Sequence, residues 1–143
     1  MSATLDTNIL LYASNADDER HDRARELVGR LASGPELLHL FWPAIMGFMR
    51  IATHPAIFSN PVPPDRAIAA IASLLERPTV RTEAEGAGFW EAYLAAAGND
   101  TRGNHVPDTH LVALMRQHGV SVIYTRDRDF RRHDGIEVRD PFA

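Results

Sequence analysis

Asp6, Asp108 and Asp127 are the residues whose type and placement could do chemistry together. Asp6 follows a short apolar lead-in, Ala3-Thr4-Leu5, and precedes Thr7-Asn8 and a second apolar run, Ile9-Leu10-Leu11. That order reads as a buried strand with an acid at its carboxyl end, turning into a helix. Asp127 stands in the same relation to the run Val120-Ser121-Val122-Ile123-Tyr124, the clearest strand in the chain, and Asp129 lies beside it. Asp108 sits at the start of the helix that leads into that strand. In an open α/β sheet, ligands bind outside the carboxyl ends of the strands. If the first strand and residues 120–124 are parallel neighbours, the three acids face one crevice. Carboxylates gathered in this way repel and raise one another's pKa. A bound Mg²⁺ or Mn²⁺ removes that cost, because hard cations favour carboxylate oxygen and water. Such an ion lowers the pKa of a bound water, orients it towards a phosphodiester and offsets the negative charge that develops. Each acid also has a plainer use. Asp6 can cap a helix, Asp108 can complement a helix dipole, and Asp127 and Asp129 can sit in a turn. Taken singly the plainer use is the commoner one; taken together, at the ends of the right elements, the acids favour a metal site.

The elements that must hold these acids follow from periodicity. Residues 19–33 carry Ala24, Leu27, Val28 and Leu31 at helical spacing, and Gly34-Pro35 ends the helix. Residues 37–42 form a compact apolar run that reads as a buried strand. Pro43 then opens a helix with Ile45, Phe48, Met49 and Ala52 on one face. After His54-Pro55 and a proline-rich connection, residues 65–76 predict a helix with Ile68, Ile71, Ala72 and Leu75 inward. Residues 79–81 read as a short strand. Residues 83–97 predict a helix burying Phe89, Tyr93, Leu94 and Ala97. A loop over 101–108 leads into a helix with Leu111, Leu114 and Met115 inward, closed by Gly119. Residues 136–138 fit a last edge strand. Alternating helices and short buried strands indicate an α/β fold with a mainly parallel sheet and helices on both faces. The expected organisation is one domain over residues 1–143, since the proline-rich stretch is too short to separate two.

Composition narrows the function. The 143 residues are 45% hydrophobic and 24% charged, with no cysteine and no run long enough to span a bilayer. No secretion signal is present, so a cytoplasmic location with no membrane contact is expected. The net charge of -4 argues against a non-specific nucleic-acid coat, but not against an enzyme that meets RNA through a local patch. All 15 basic residues are arginine. The absence of lysine excludes Schiff-base chemistry, a phosphate-loop lysine and the phosphate sites of receiver and haloacid-type proteins.

Four segments in order give the chain a resemblance. They are Leu5-Asp6-Thr7-Asn8-Ile9-Leu10-Leu11-Tyr12-Ala13, Gly47-Phe48-Met49-Arg50-Ile51-Ala52-Thr53-His54-Pro55, Gly103-Asn104-His105-Val106-Pro107-Asp108-Thr109-His110-Leu111, and Thr125-Arg126-Asp127-Arg128-Asp129-Phe130. Over nearly its whole length the chain resembles the PIN-domain ribonucleases, and among them the VapC toxins of bacterial toxin–antitoxin pairs. The resemblance implies a three-layer α/β/α sandwich whose first strand is central. It implies endonucleolytic cleavage of RNA, commonly tRNA or rRNA, dependent on Mg²⁺ or Mn²⁺. It also implies a homodimer and inhibition by a cognate VapB antitoxin. The family's first and third acids fall on Asp6 and Asp108, and its fourth on Asp127 with Asp129 beside it. Asp6, Asp108 and Asp127 are thereby the implied metal ligands, and all four acids the implied catalytic group. Asn104 is implied to orient a ligand acid or bind substrate, Thr125 to hydrogen-bond within the site, and Asn8 to stand beside them. The family's second acid has no counterpart: Gly47 is the nearest match to its place. That departure bears on a second metal position and on the rate.

Other residues carry weaker signals. The histidines lack the spacing of a zinc-protease helix, and His54, His110 and His118 read as helix or turn residues. Arg126, Arg128, Arg131 and Arg132 form either a solvated face or a set of phosphate contacts. Trp42, Phe48 and Phe58 read as core or dimer-interface residues, and Phe130 as a packing anchor for the loop carrying Asp127. A haloacid-type phosphatase is disfavoured, because Asp6-Thr7-Asn8 lacks a second Asp. A dinucleotide-binding domain fails for want of a glycine-rich fingerprint. The non-enzyme alternative is a PIN-like module that lost turnover with its second acid and binds RNA or a protein partner.

Overall fold

The computed structural model describes residues 2–143; Met1, which belongs to the expected 1–143 domain, lies outside the described residues. Five strands form one sheet: β1 (Ala3–Leu5), β2 (Leu38–Phe41), β3 (Val80–Glu83), β4 (Val122–Tyr124) and β5 (Glu137–Arg139). Every pairing is parallel, in the order β3-β2-β1-β4-β5, so β1 is central. Between them run α1 (Thr7–Ser14), α2 (His21–Ala32), α3 (Trp42–Ala52), α4 (Pro64–Leu75), α5 (Phe89–Ala96) and α6 (His105–Gln117). A 3₁₀ turn, Arg128–Arg132, joins β4 to β5.

The strands are short and buried because helices cover both faces of the sheet. Side chains alternate along β2. Leu38 and Leu40 join a core with α1, α2, α3 and α4, whereas Phe41 joins a second core with α6, Ile123 and Phe130. This is the three-layer α/β/α arrangement the resemblance implied. Leu5, Ile9 and Phe48 are fully buried in the first core, each such side chain stabilising the fold by about 1.5–3 kcal/mol. Phe130 is fully buried in the second and anchors the 3₁₀ turn. Gly119, at φ +69°, ends α6, and Val120 N donates to Met115 O across that turn at 2.8 Å.

Three expectations are corrected. Residues 83–97 do not form one helix. Glu83 pairs with Phe41 in β3, and α5 starts only at Phe89, after Gly88 at φ +79°. No residue of α5 is buried, and Leu94 is exposed, because the helix packs chiefly on α6 at the side of the molecule. The buried stripe of α4 is turned by one position. Ala67 and Ile71 are buried and Ile68 is exposed, since the small Ala67 lets α4 approach the core closely. The segment before Asp108 is not loop throughout: α6 begins at His105, which puts Asp108 in its first turn. Of the aromatics, Phe48 is core, Phe58 is half-buried against it and Trp42 is exposed at the start of α3. Among the described residues no helix is long and apolar enough to cross a membrane.

Candidate metal centre at the carboxyl ends of β1 and β4

β1 and β4 are parallel neighbours, with Leu5 opposite Tyr124. The strand order reverses direction about β1, with β2 on one side and β4 on the other, and the crevice at that switch point is where such sheets bind ligands. Asp6 enters it directly. Its N–H donates to Tyr124 O at 3.1 Å, which continues the ladder by one residue. Its extended backbone makes it the N-cap of α1, and Oδ1 accepts from Thr7 N at 2.7 Å. The plain reading of Asp6 as a cap is therefore correct, and it uses only one oxygen. Oδ2 accepts from Thr125 Oγ1 at 2.9 Å and from Asn8 Nδ2 at 3.3 Å.

Thr125 is fully buried and ties two acids together. Its hydroxyl gives its proton to Asp6 and accepts from Asp127 N at 2.9 Å. Asp127 in turn caps the 3₁₀ turn, accepting from Asp129 N at 2.9 Å. Asn8 turns its amide nitrogen to Asp6, since its oxygen would repel the carboxylate. That leaves Asn8 Oδ1 buried with no hydrogen-bond partner among the described residues.

Asp108 reaches the same crevice from the first turn of α6. Its carboxyl is pushed up to about 7, first by burial and then by the charges of Asp6 and Asp127, a hydrogen bond with Asp127 and the charge of Asp129. Asp6 is also raised, by burial above all, against the lowering effect of hydrogen bonds from Thr125 and Thr7 and with a smaller push from Asp127. The four acids thus share one electrostatic environment, and among the described residues Asp6, Asp108 and Asp127 have no basic partner in an ion pair. No three of the acids and histidines described converge as a ready-made ligand cage. The donor set fits a hard divalent cation in kind: it is all oxygen, and its own charges disfavour it without a counter-ion.

Asn104 stands at the N-terminal end of α6 but makes no side-chain capping bond, and it bonds to none of the acids. Arg132, which the sequence offers as a solvated or phosphate-binding side chain, is engaged within the fold. Arg132 holds Asp100 through both carboxylate oxygens, at 2.6 and 2.7 Å, and donates to His105 Nδ1 at 3.1 Å. His105 Nε2 then faces Asp129 Oδ2 at 3.4 Å. No local pattern announces this string, since its members come from two stretches, 100–105 and 129–132.

At Gly47, where the resemblance lacks an acid, α3 passes tightly against the start of α1. A Cβ there would sit 2.9 Å from Thr7 Oγ1, the hydroxyl that donates to Ala44 O at 3.0 Å. The space beside Gly47 is filled by Thr7, the neighbour of Asp6.

Comparison with known proteins agrees with this fold. The PIN domain family model matches residues 3–136. The chain is 44% identical over 144 aligned residues to Ribonuclease VapC48 of Mycobacterium tuberculosis, covering 100% of this chain and 99% of that one. It is 33% identical to Ribonuclease VapC43 of the same species, over 96% of this chain and 93% of the other. In structure it is similar to the Mycobacterium tuberculosis VapC20, described as a toxin that cleaves the sarcin–ricin loop. The TM-score is 0.69 and the identity 25%, over 96% of this chain and 99% of that one. The chain belongs to the PIN-domain family, in its VapC branch.

Proposed function

We propose that this protein is the toxin of a toxin–antitoxin pair, an endoribonuclease that hydrolyses phosphodiester bonds of RNA. The observation that carries the reading is the crevice at the ends of β1 and β4, where acids raise one another's pKa without a basic partner. Full-length similarity to VapC ribonucleases supports it. Asp6, Asp108 and Asp127 are the residues that would hold Mg²⁺, or Mn²⁺ in its place. The ion would supply a Lewis acid that lowers the pKa of water and offsets charge developing on the phosphate. Thr125 and Asn8 fix the rotamer of Asp6 through its Oδ2, and Thr125 sets the start of the turn that carries Asp127. Asp129 adds a further carboxylate at the rim, and Asn104, at the start of α6, would contact substrate rather than the acids. The RNA class is tRNA or rRNA. A VapB-type antitoxin is the inhibiting partner, the working form is a homodimer, and the location is the cytoplasm.

The test is cleavage of total RNA by antitoxin-free protein with Mg²⁺, with Mn²⁺ and with EDTA, beside Asp6→Asn. Discrete fragments that need both metal and Asp6 are expected. Equal cleavage by Asp6→Asn, or in EDTA, overturns the metal role. RNA binding by folded protein without cleavage in either metal assigns the chain instead to a binding module without turnover, and the acid missing at Gly47 favours that second reading.

A further inference from the structure

Beside the acidic crevice lies an open groove of about 940 Å³, which shares Asn8 and Asp127 with it. Four guanidiniums line this groove: Arg20 and Arg23, at the start of α2, and Arg126 and Arg128, just after β4. Three carboxylates, Glu19, Asp127 and Asp140, line it as well, so what the groove offers a phosphate is the guanidiniums that no carboxylate holds.

The four are not equivalent. Arg20 is committed to the fold. It grips both oxygens of Asp18 at 3.0 Å and lies over the Tyr12 ring at 4.7 Å. Tyr12 is also occupied, since its other contact is Phe142, edge to face at 5.5 Å. Arg126 makes a single long bond, 3.5 Å, to the Tyr12 hydroxyl. Arg23 and Arg128 are exposed, and neither makes a hydrogen bond or ion pair among the described residues. This holds although Glu19 and Asp140 also line the groove. An arginine that no carboxylate engages retains its five donors, in a planar fork that matches phosphate oxygens.

We infer that this groove is the track for the RNA backbone, with Arg23 and Arg128 as phosphate contacts on the approach to Asp127; this rests on the ribonuclease reading above. The groove reads phosphates rather than bases. Four guanidiniums line it, whereas its two aromatic rings, Tyr12 and Phe142, pack edge to face on each other with Arg20 over the Tyr12 ring. Phosphate contacts position a strand and carry no sequence information. Arg23 and Arg128 therefore set affinity, and the choice of cleavage site is made elsewhere.

The experiment measures binding of a fluorescein-labelled single-stranded RNA 12-mer, in two unrelated sequences, over a range of salt. The protein is Asp6→Asn, with and without Arg23→Ala and Arg128→Ala together. Arg25→Ala, on the exposed side of α2, is the control. The double variant should bind both RNAs about 10-fold or more weakly, and its salt slope should flatten by about 1.4, the share of two phosphate contacts on a single strand. Arg23→Lys with Arg128→Lys should restore most of the slope. In the cleavage-competent chain the double variant should raise KM and leave kcat. Unchanged affinity and slope overturn the inference while leaving the ribonuclease reading intact if the parent chain cleaves. Loss of antitoxin inhibition with RNA binding unchanged also overturns it, and gives the groove to the protein partner. Absence of both binding and cleavage in the parent defeats the ribonuclease reading and this inference with it.

Discussion

Glu83 and Asp108 are partly buried carboxylates at the two ends of α6, and the fold treats them in opposite ways. Glu83, at the end of β3, is bracketed by histidines. One oxygen meets His39 Nδ1 from β2, and the other meets His118 Nδ1 at the end of α6, at 3.1 Å. Next to it Glu85 meets His110 at 2.6 Å. These pairs tie the outer strand and the approach to α5 onto α6. Asp108, on the same α6, points instead at three other acids and is held up to about 7. Where charge serves architecture here it comes with a partner. In the crevice the partner is withheld, and the stability given up is what a counter-ion would restore.

The largest test of this contrast is Asp108→Asn. It should lower cleavage by about 100-fold or more, since even residues that only orient a metal ligand are worth about 10–100-fold. It should also stabilise the metal-free protein at pH 8. Asp108 titrates at about 7 when folded and near 3.8 when unfolded. Between those values the folded state holds a proton that the unfolded state has released. Stability therefore falls as pH rises through that window, and the full penalty stands above it. Melting in EDTA should show wild type losing Tm between pH 5 and pH 8, with the asparagine variant losing less. Mg²⁺ at pH 8 should raise Tm in wild type alone. A flat wild-type profile would falsify the idea that these acids strain the empty fold.

Thr125→Val comes next. It removes the proton given to Asp6 and the acceptor for Asp127 N while keeping the shape. Cleavage should fall about 10-fold and stability by about 1 kcal/mol, read from single-turnover rates and urea melts.

Gly47→Ala should cost about 1 kcal/mol by crowding Thr7, with a smaller loss of rate, and Gly47→Glu should cost more and restore nothing. Faster cleavage by the glutamate variant would show that the second acid is simply absent rather than displaced by packing. Glu83→Gln closes the series. Its melt should move, whereas its cleavage should stay at the wild-type rate; a variant that folds and cannot cleave would dissolve the distinction between the two regions.

Most of this frame could be read from residues. β1 and β4 announce themselves as apolar runs ending in acids, but alternation alone does not make them neighbours; the sheet order does. Asp6 could be read both as a cap and as a candidate ligand, and it has two oxygens with which to be both. The elements that misled are those where hydrophobic spacing does not decide which face is covered. Ile68 and Leu94 fit helical stripes as well as Ala67 does, but only packing chooses among them, and it chose the small residue. Arg20 and Arg23 fall outside the apolar stripe of α2, where charged residues are ordinary. Their meaning depends on Arg126 and Arg128 arriving from the far end of the chain. The closeness of Gly47 to Thr7 is a fact of helix packing, and no spacing within either segment reports it.

The bond from Thr125 to Asp6 joins residues 119 positions apart. During synthesis Asp6 leaves the ribosome early and waits, unpaired with β4, while nearly all of the chain is added. The acids cannot meet until residues 122–127 have emerged and docked beside β1. A nascent chain is therefore without its crevice for most of its translation, and a prematurely released one never acquires it. For a protein that acts on RNA, topology alone delays the onset of activity until residues 122–127 have left the RNA-rich machine that makes them.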